Sequence, residues 1–326
     1  MKQSADWRQG RVVSSRVIAE GVRRVEFAVA GAVPGFDPGS HLNLRVMIGG
    51  AAALRSYSCL PAAPGHLAIG VKLHSASRGG SRFVWGLGVG DSVALTMPEN
   101  RFEISWRAPE YLLLAGGIGV TPIYGMARAL KEQALKERGA RVALHYVAQS
   151  RAQMAFVDDL QRILGPDLHV YAGEGARPDL AALIDGLAVG GELYVCGPLG
   201  MLEAVKSAWA AAGRPVSRLR YEVFGDSGAY AEQSFAVEVL NRGLTVQVRA
   251  DQTLLDALTE AGVDMVYDCR RGECGLCAVT VITHDTPIDH RDVFFSPHEK
   301  ATGKKICACV SRMVGGTALI DTGYRV

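Results

Sequence analysis

The first third of the chain alternates apolar and polar residues in short runs. Residues 11–19 and 22–29 show this alternation, and residues 34–39 form a Pro-Gly-Phe-Asp-Pro-Gly turn segment. A period of two is typical of half-buried strands, and many short strands with Gly/Pro turns are typical of antiparallel barrels. One helix is predicted to begin near Ser81. Further strands are predicted over residues 41–48, 54–59, 67–73 and 91–97. We therefore predict an antiparallel barrel domain over residues 1–108.

The pattern changes after Glu110, where continuous apolar runs begin to alternate with helical stretches. Strands are predicted over residues 111–115, 142–148, 169–172, 192–196 and 218–224. Helices are predicted between them over residues 121–136, 152–164, 179–185 and 199–212. Strictly alternating strands and helices indicate a parallel sheet with helices on both faces. This pattern predicts an α/β domain over residues 109–224.

A third domain is predicted after a polar segment. Residues 225–233, Gly-Asp-Ser-Gly-Ala-Tyr-Ala-Glu-Gln, have the composition of a flexible linker. An Asn-Arg-Gly turn then predicts a hairpin whose strands span residues 235–240 and 245–249. Thr253 is placed to cap a helix, with Asp256 in the capping-box position and Gly262 as its stop. The last domain is therefore assigned to residues 234–326.

Composition narrows the classes of function. Of 326 residues, 48% are hydrophobic and 21% charged, with a net charge of +2, which is typical of a globular protein. The sequence has no polybasic block that would indicate nucleic-acid binding. No apolar run approaches the ~18 residues of a membrane span. Because the first ten residues are polar and lack a signal-peptide core, we expect a cytoplasmic protein. We also expect a monomer.

Five of the seven cysteines lie between Cys269 and Cys309. Cys269, Cys274 and Cys277 form a C-x4-C-x2-C pattern, and this spacing is typical of a plant-type [2Fe–2S] cluster. The alternative is a structural zinc site, but zinc sites usually combine two short C-x2-C units. In a reducing compartment, such a cluster of cysteines indicates metal binding rather than disulfides.

The cysteine loop contains two glycines, and spacing leaves the identity of the fourth cluster ligand open. Gly272 and Gly275 would allow backbone N–H groups to reach the sulfurs without a Cβ clash. Spacing alone permits either Cys307 or Cys309 as the fourth ligand. In an extended segment both side chains would point the same way, so direction does not separate them.

Candidate flavin-binding residues lie in the barrel. Arg55-Ser-Tyr57-Ser58 is predicted on a strand, which places Arg55 and Tyr57 on one face and Ser58 on the other. An ordinary exposed strand is the alternative explanation. A helix N-terminus next to an arginine is a candidate phosphate site. The remaining candidates are Val71 and Lys72 on a later strand and Arg78, Gly79, Gly80 and Ser81 at the start of the predicted helix.

Candidate nucleotide-binding residues follow strands of the α/β domain. A glycine-rich loop comes between a buried strand and a helix, which provides a tight turn and a helix dipole for a pyrophosphate. It contains Gly116, Gly117, Gly119 and Thr121, and later strands end at Cys196-Gly197-Pro198 and at Glu222-Val223-Phe224. Core packing is the alternative for Cys196 and Phe224.

The adenosine end of this site is marked by Ser150 and Arg151, which follow the strand over residues 142–148. An acid that binds the ribose 2′-OH is typical of NADH sites, and an arginine suits the 2′-phosphate of NADPH. The local sequence has no acid at this point.

In their order along the chain, these motifs resemble the phthalate dioxygenase reductase and vanillate demethylase reductase family. Arg-x-Tyr-Ser and Gly-Gly-Ser resemble the flavin barrel of the wider ferredoxin reductase superfamily. Asp289-His-Arg-Asp292 and Cys309-Val-Ser-Arg312 resemble the C-terminal ferredoxin domain of the family. The resemblance implies a multidomain fold: an antiparallel β-barrel flavin domain, an α/β parallel-sheet nucleotide domain and an α+β β-grasp plant-type ferredoxin domain.

The resemblance also implies roles for individual residues. Arg55 would hold the flavin phosphate, Tyr57 would pack on the flavin, and Ser58 would hydrogen-bond near flavin N5. Thr121 and Cys196 would flank the nicotinamide, and Phe224 would shield the flavin face. The family ligand immediately precedes Val-Ser-Arg, which selects Cys309 as the fourth cluster ligand.

The implied activity is electron transfer from NAD(P)H through a flavin to a [2Fe–2S] cluster. FMN is favoured over FAD. NADH is the expected donor, although the family would lead us to expect an Asp near position 150, and its absence leaves NADPH open. The implied role is the reductase component of a two-component Rieske non-heme iron oxygenase. Alternatives are the same electron-transfer chain serving a cytochrome P450 or a diiron hydroxylase, a non-catalytic redox sensor, and a zinc-stapled binding module.

Overall fold

The computed structural model describes residues 6–73, 79–137, 139–224, 228 and 230–323. The chain forms two compact units, Met1–Glu222 and Val223–Val326. The first unit contains a barrel and a separate parallel sheet, and the second contains a mixed sheet.

The barrel confirms the predicted antiparallel domain. Its strands are β1 (Trp7–Ala19), β2 (Val22–Val29), β3 (Ser40–Ile48), β4 (Ala51–Leu60), β5 (His66–Lys72), β6 (Ser92–Thr96) and β7 (Glu99–Asn100), and α1 spans Gly80–Trp85. The strand order is β4-β5-β2-β1-β6-β3-β7, and the sheet closes because β4 also pairs with β3. Closure buries one face of each strand, as the alternating pattern predicts. The interior is filled by side chains such as Phe27, Leu42, Leu44, Ile69 and Leu95.

The second half of the first unit is a five-stranded parallel sheet flanked by helices. Its strands are β8 (Glu110–Gly116), β9 (Arg141–Ala148), β10 (Leu168–Ala172), β11 (Glu192–Cys196) and β12 (Leu219–Glu222). Its helices are α2 (Val120–Glu137), α3 (Val157–Leu164), α4 (Leu180–Gly186) and α5 (Leu199–Ala211). Strands β8 and β11 read as continuous apolar runs because both of their faces are covered.

The strand order of this sheet, β10-β9-β8-β11-β12, places a topological switch point between β8 and β11. The chain leaves β8 toward one side to build β9 and β10, and then crosses to the other side to build β11 and β12. Ligands of open α/β sheets bind in the crevice at the carboxyl ends of such strands. The glycine-rich loop and the Cys-Gly-Pro segment both begin at this crevice.

One predicted helix begins later than expected. The prediction of a helix over residues 152–164 is wrong at its start: residues Arg151–Gln153 form a 3-10 turn, and α3 begins at Val157. Phe156 adopts a left-handed backbone conformation, with φ of 61°, which interrupts any continuous helix. Its ring stacks on Tyr124 of α2 at 4.5 Å between centroids. Packing against α2 therefore overrides the local apolar pattern.

The second unit has the β-grasp arrangement that the resemblance implies. Its strands are β13 (Phe235–Val239), β14 (Leu244–Val248), β15 (Ala278–His284), β16 (Ile288–Asp289), β17 (Lys305–Cys307), β18 (Arg312–Met313) and β19 (Thr317–Asp321). The helices are α6 (Leu254–Glu260) and α7 (Pro297–Ala301). The main sheet has the order β14-β13-β19-β15-β17, in which β13 and β19 run parallel.

Local signals in the second unit act as predicted. Strands β13 and β14 form the hairpin, with Val239 opposite Leu244. Thr253 caps α6 by accepting a hydrogen bond from the backbone N–H of Asp256 at 3.0 Å. Such a cap stabilises a short helix by about 0.5–2 kcal/mol.

Two buried arginines hold the segment before β13 against the rest of the second unit. Residues 225–227 and 229 of the predicted linker lie outside the described residues. Arg291, which is 2% exposed, pairs with Glu232 at 2.8 Å. Arg312 donates to the carbonyl oxygen of Gln233, also at 2.8 Å. Glu232 and Gln233 are therefore held in place by Arg291 and Arg312 of the same unit.

None of the helices in the described part of the chain is both long enough and apolar enough to span a membrane.

Candidate functional site

Two segments bring the cysteines together. Cys269 and Cys274 lie in the loop between α6 and β15, and Cys277 directly precedes β15. Cys307 ends β17, which pairs with β15, and Cys309 follows two residues later. Pairing of β15 with β17 therefore delivers the distant cysteines to the loop.

The sulfurs form two groups in the second unit. Cys269 and Cys274 share a sulfur hydrogen bond, and Cys277 accepts sulfur hydrogen bonds from Cys307 and Cys309. The bonds from Cys307 and Cys309 lower the pKa of Cys277 to about 3. Burial raises the pKa of Cys269, against hydrogen bonds that favour its thiolate. The arrangement therefore already favours a thiolate at Cys277, the form that binds metal.

Cys309 differs from Cys307 in its neighbours. The Gly272 N–H of the cysteine loop donates to the sulfur of Cys309, and the charge of Cys269 also acts on this sulfur. The groups that act on Cys307 are Cys277, Cys309 and the Asp292 carboxylate. Cys307, Cys309 and Cys277 all border the apolar core of the unit, and Cys307 is the most deeply buried of the three.

Backbone N–H groups surround the sulfurs. The N–H groups of Arg271, Glu273 and Cys274 donate to the sulfur of Cys269, the first of these at 3.4 Å. The Cys309 N–H donates to Cys277. Such N–H···S bonds stabilise thiolate ligands and tune a bound cluster.

A [2Fe–2S] cluster needs four cysteines, two on each iron. The sulfurs here meet as Cys269 with Cys274, and as Cys277 with both Cys307 and Cys309. Across residues 6–73, 79–137, 139–224, 228 and 230–323, no three or more His, Cys, Asp or Glu side chains form a single-ion site. Paired thiols surrounded by N–H donors fit a two-iron cluster.

Gly272 and Gly275 fulfil the predicted role in the loop. Both have positive φ, 75° and 71°. A Cβ at Gly272 would lie 2.6 Å from Val310 Cγ2, and one at Gly275 would lie 2.3 Å from the Phe294 ring. The Gly272 N–H donates to the sulfur of Cys309. Only glycine satisfies both the conformation and the close packing at these positions.

In the first unit, Ser58 lies beside a buried carboxylate. Its Oγ donates to Glu222 Oε2 at 3.4 Å, and both residues are 3% exposed. Glu222 ends β12 and is in register with Cys196, which ends β11. The sequence indicates no role for Glu222 within the Glu-Val-Phe segment, because nothing local marks its partner in the barrel.

Thr121, just after the glycine-rich loop, and Cys196, at the end of β11, lie in the same region. The Thr121 methyl group lies 2.8 Å from where a Cβ of Gly70 would be, on barrel strand β5. Cys59 of β4 pairs with Ile69 of β5, so Gly70 is next to Ser58 across the sheet. A Cβ at Gly119 would lie 2.2 Å from the Cys196 carbonyl oxygen. Ser58, Thr121 and Cys196 are thus brought together at the switch point.

The glycines of the crevice have two different roles. A Cβ at Gly116 would lie 2.6 Å from Pro198 Cδ, and one at Gly197 would lie 2.2 Å from Met201 Cε. These glycines are required by the packing of the two loops on each other. Gly117, with φ of 54°, has no atom within 4 Å of its Cβ position and faces open space. Of these glycines, Gly117 is the one with free space beside its backbone, which a bound ligand would need.

Arg55 and the start of α1 are in direct contact. A Cβ at Gly80 would lie 2.8 Å from both Cγ and Nε of Arg55, so the arginine stem crosses the first residue of the helix. Gly79 has φ of 91° and packs against Ile48. Ser81 is half-buried in the same turn. Arg78 lies outside the described residues.

The other barrel candidates occupy different environments. Tyr57 is half-buried and packs against the barrel core. Val71 is buried. Lys72 donates through Nζ to Gln153 Oε1 at 3.2 Å, which joins β5 to the turn after β9.

Ser150 and Arg151 follow β9 at the edge of the crevice. The Ser150 hydroxyl is buried and has no hydrogen-bond partner within the described residues. Arg151 Nη2 lies 3.9 Å from Asp158 Oδ1, and both side chains are largely exposed. The local sequence has no acid at positions 150 and 151, but the fold brings Asp158, in the first turn of α3, beside Arg151.

Phe224 is half-buried and follows β12, in the chain that opens the second unit. Its predicted contact with the flavin stays a prediction.

Comparisons with known proteins agree with this arrangement. Residues 237–314 match the model of the 2Fe-2S iron-sulfur cluster binding domain. The chain is 37% identical to the heme-dependent oxidative N-demethylase beta subunit of Ectopseudomonas mendocina (strain ymp), over 95% of this chain and 97% of that protein.

Two further similarities extend over almost the whole chain. Identity to the vanillate O-demethylase oxidoreductase of a Pseudomonas species is 35%, over 95% of this chain and 98% of that protein. The solved structure of phthalate dioxygenase reductase superposes with a TM-score of 0.79 at 27% identity, over 97% of this chain and 98% of that chain. The chain therefore belongs to the family of modular flavin and [2Fe–2S] oxidoreductases that includes vanillate O-demethylase oxidoreductase and phthalate dioxygenase reductase.

Proposed function

We propose that this oxidoreductase is the reductase component of a two-component Rieske non-heme iron oxygenase. The main support for this proposal is that one chain contains both the clustered cysteines and a crevice at which Ser58, Thr121 and Cys196 lie. When bound, a flavin accepts electrons in pairs from NAD(P)H and releases them singly, and a [2Fe–2S] cluster carries single electrons. The chain's own residues provide binding and orientation for both groups.

In the proposed site, Ser58 and Glu222 form a buried polar pair. Ser58 donates to Glu222 and is placed to orient the flavin edge that receives hydride. Thr121 and Cys196 are proposed to hold the nicotinamide at this edge. Their positions are fixed by packing of the glycine-rich loop against β5 and against the Cys196 carbonyl. Phe224 is proposed to shield the flavin.

We propose FMN as the flavin. Arg55 is assigned to its phosphate, because the guanidinium stem lies across Gly80 and a cation is suited to bind phosphate. The other proposed flavin contacts are made by Tyr57, Val71, Lys72, Arg78, Gly79 and Ser81. Chromatography of flavin released from the pure protein tests this assignment, and recovery of FAD would contradict it.

For the nucleotide we propose NADH with a weak preference over NADPH. Gly116, Gly117 and Gly119, together with Gly197 and Pro198, line the proposed pyrophosphate site. Arg151 could receive a 2′-phosphate, but the nearby Asp158 competes for its charge and opposes a second anion. The balance of these two charges predicts that both nucleotides are used.

For the cluster we propose Cys269, Cys274, Cys277 and Cys309 as ligands. The hydrogen bond from the Gly272 N–H of the cysteine loop to the sulfur of Cys309 supports this choice. Cys307 is assigned to the core. We also propose a cytoplasmic location, where thiols stay reduced and available as ligands.

The relatives' names support a second candidate partner. One relative is the beta subunit of a heme-dependent oxidative N-demethylase, so a heme-containing oxygenase is the alternative acceptor. We propose the Rieske acceptor first because the motif order resembles the phthalate and vanillate systems.

Reconstitution tests the partner. The purified chain is mixed with NADH and with either a Rieske oxygenase component or a heme-dependent N-demethylase component, and product formed per NADH is measured. Coupled turnover with the Rieske component supports the proposal. Coupling with the heme component alone would replace it with the second candidate.

A further inference from the structure

Asp292 lies directly against the cysteine loop without being a ligand. Its side chain has no exposed surface. The two residues after it, Val293 and Phe294, donate their backbone N–H groups to the Gly272 carbonyl at 3.0 and 3.1 Å. A Cβ at Gly272 would lie 2.8 Å from Asp292 Cα. The Asp292 segment therefore forms part of the wall of the proposed cluster site.

The Asp292 carboxylate is held in its charged form by surrounding donors. It accepts hydrogen bonds from Ser311 Oγ at 2.8 Å and from the Phe295 N–H at 3.0 Å. His290 Nδ1 lies 3.5 Å away. Burial raises the pKa of Asp292, but the neighbouring His290, the hydrogen bonds from Phe295 and Ser311, and the charge of Lys300 outweigh it and hold this pKa below its ordinary value.

One cation lies beside this carboxylate. Lys300 on α7 has its Nζ 3.9 Å from Asp292 Oδ2 and also donates to the Asp292 carbonyl oxygen. The neighbouring Arg291 is engaged elsewhere, because it pairs with Asp289 and Glu232. Lys300 is therefore the principal counter-charge of Asp292.

The carboxylate is close to the proposed ligands. Gly272, which contacts Asp292, donates its N–H to the sulfur of Cys309. Ser311, which donates to Asp292, also donates its backbone N–H to the Cys307 carbonyl at 3.0 Å. The Asp292 charge acts on the Cys307 thiol as well. Gly272 thus links the Asp292 segment to the sulfur of Cys309, and Ser311 links the Asp292 carboxylate to the Cys307 backbone.

We propose that the Asp292 carboxylate, partly offset by Lys300, lowers the reduction potential of the [2Fe–2S] cluster. Reduction adds one negative charge to the cluster, and a buried anion nearby opposes that addition while a cation favours it. The inference rests on the proposed cluster ligands.

The test compares Asp292→Asn and Lys300→Gln in the full-length, cluster-loaded protein. Both replacements keep a hydrogen-bonding side chain of similar size. The matched control is Asp264→Asn, which removes the same charge from an exposed position. The midpoint potential is measured by redox titration followed by electron paramagnetic resonance of the reduced cluster.

The two variants are expected to shift the potential in opposite directions. Asp292→Asn should raise the equilibrium constant for cluster reduction about tenfold, which is about 59 mV for a one-electron couple. Lys300→Gln should lower it, and the control should change it much less because water screens an exposed charge. A structural effect would not reverse sign between the two variants.

Shifts of the same sign, or shifts no larger than that of the control, would overturn the proposal. If Asp292→Asn fails to hold a cluster, the sign of the Lys300→Gln shift decides alone. A wild-type chain without any reduced-cluster signal would instead refute the cluster ligands, so the two failures are distinguishable.

Discussion

Replacement of Ser58 by alanine tests the chemistry proposed for the crevice. The change removes the hydroxyl that donates to Glu222 and leaves the buried strand β4 otherwise intact. Because Ser58 is buried beside the switch point, the loss should slow hydride transfer to the flavin more than it weakens flavin binding. The rate of flavin reduction by NADH is therefore the quantity to measure.

The expected size follows from the geometry. The Oγ–Oε2 distance of 3.4 Å exceeds that of a typical O–H···O bond, which is about 2.5–3.0 Å. A net contribution in the lower part of the range of about 0.5–1.5 kcal/mol is therefore appropriate. At about 1.36 kcal/mol per tenfold in rate, this corresponds to a reduction of about 2- to 5-fold.

The assay is anaerobic stopped-flow mixing with NADH, with flavin affinity measured separately. Ser56→Ala is the matched control, because Ser56 lies two residues away on β4 and donates to Asn43 at 2.6 Å, away from Glu222. The control should leave hydride transfer unchanged. Equal rates in wild type and Ser58→Ala, or equal slowing in both variants, would refute the role assigned to Ser58.

Four further predictions follow from the same description. Cys309→Ala should lose the cluster, because one iron would lack a thiolate, whereas Cys307→Ala should keep it; iron content measures both, and the reverse result would exchange their assignments. Arg151→Asp should depress NADPH use far more than NADH use, because it removes the candidate 2′-phosphate contact; steady-state kinetics with both nucleotides test this, and equal losses would place Arg151 elsewhere. Gly119→Ala should reduce the free energy of unfolding by about 1–3 kcal/mol, because its Cβ would overlap the Cys196 carbonyl; an unchanged denaturation midpoint would contradict that packing. A fragment of residues 1–224 should reduce ferricyanide with NADH but fail to support an oxygenase, and full oxygenase turnover by it would refute the electron path.

The cluster loop and the sheet order were predictable because their signals are local. Three of the proposed ligands lie within nine residues, and Gly272 and Gly275 mark the backbone that those ligands require. The parallel sheet was predictable because its buried strands are continuous apolar runs between helical stretches. In these parts, each short segment carries enough information to specify its own conformation.

The crevice depends on contacts that no local pattern records. Ser58 and Glu222 are 164 residues apart, and only the packing of the barrel beside the sheet brings them together. Asp158 approaches Arg151 because Phe156 interrupts the helix, which its apolar side chain does not indicate. Gly116 and Gly197 are proposed to line the pyrophosphate site, and the structure adds a packing role that no local pattern indicates: they allow two loops to approach each other.

The buried arginines illustrate the same limit. Residues 225–233 have the composition of a linker, and composition alone does not show that Glu232 and Gln233 are bound by Arg291 and Arg312. Arg291 belongs to the Asp-His-Arg-Asp motif and Arg312 to the Val-Ser-Arg motif, and the family resemblance implies no role for either arginine. The structure gives them a physical role as anchors of the chain entering β13.

The most direct test of the electron path is the arrival of electrons at the cluster. The full-length protein, loaded with flavin and cluster, is mixed anaerobically with NADH, frozen at intervals and examined by electron paramagnetic resonance. We expect the reduced-cluster signal to rise after the flavin absorbance has bleached. A flavin that bleaches while the cluster stays oxidised would contradict transfer from the nicotinamide through the flavin to the cysteine-bound centre.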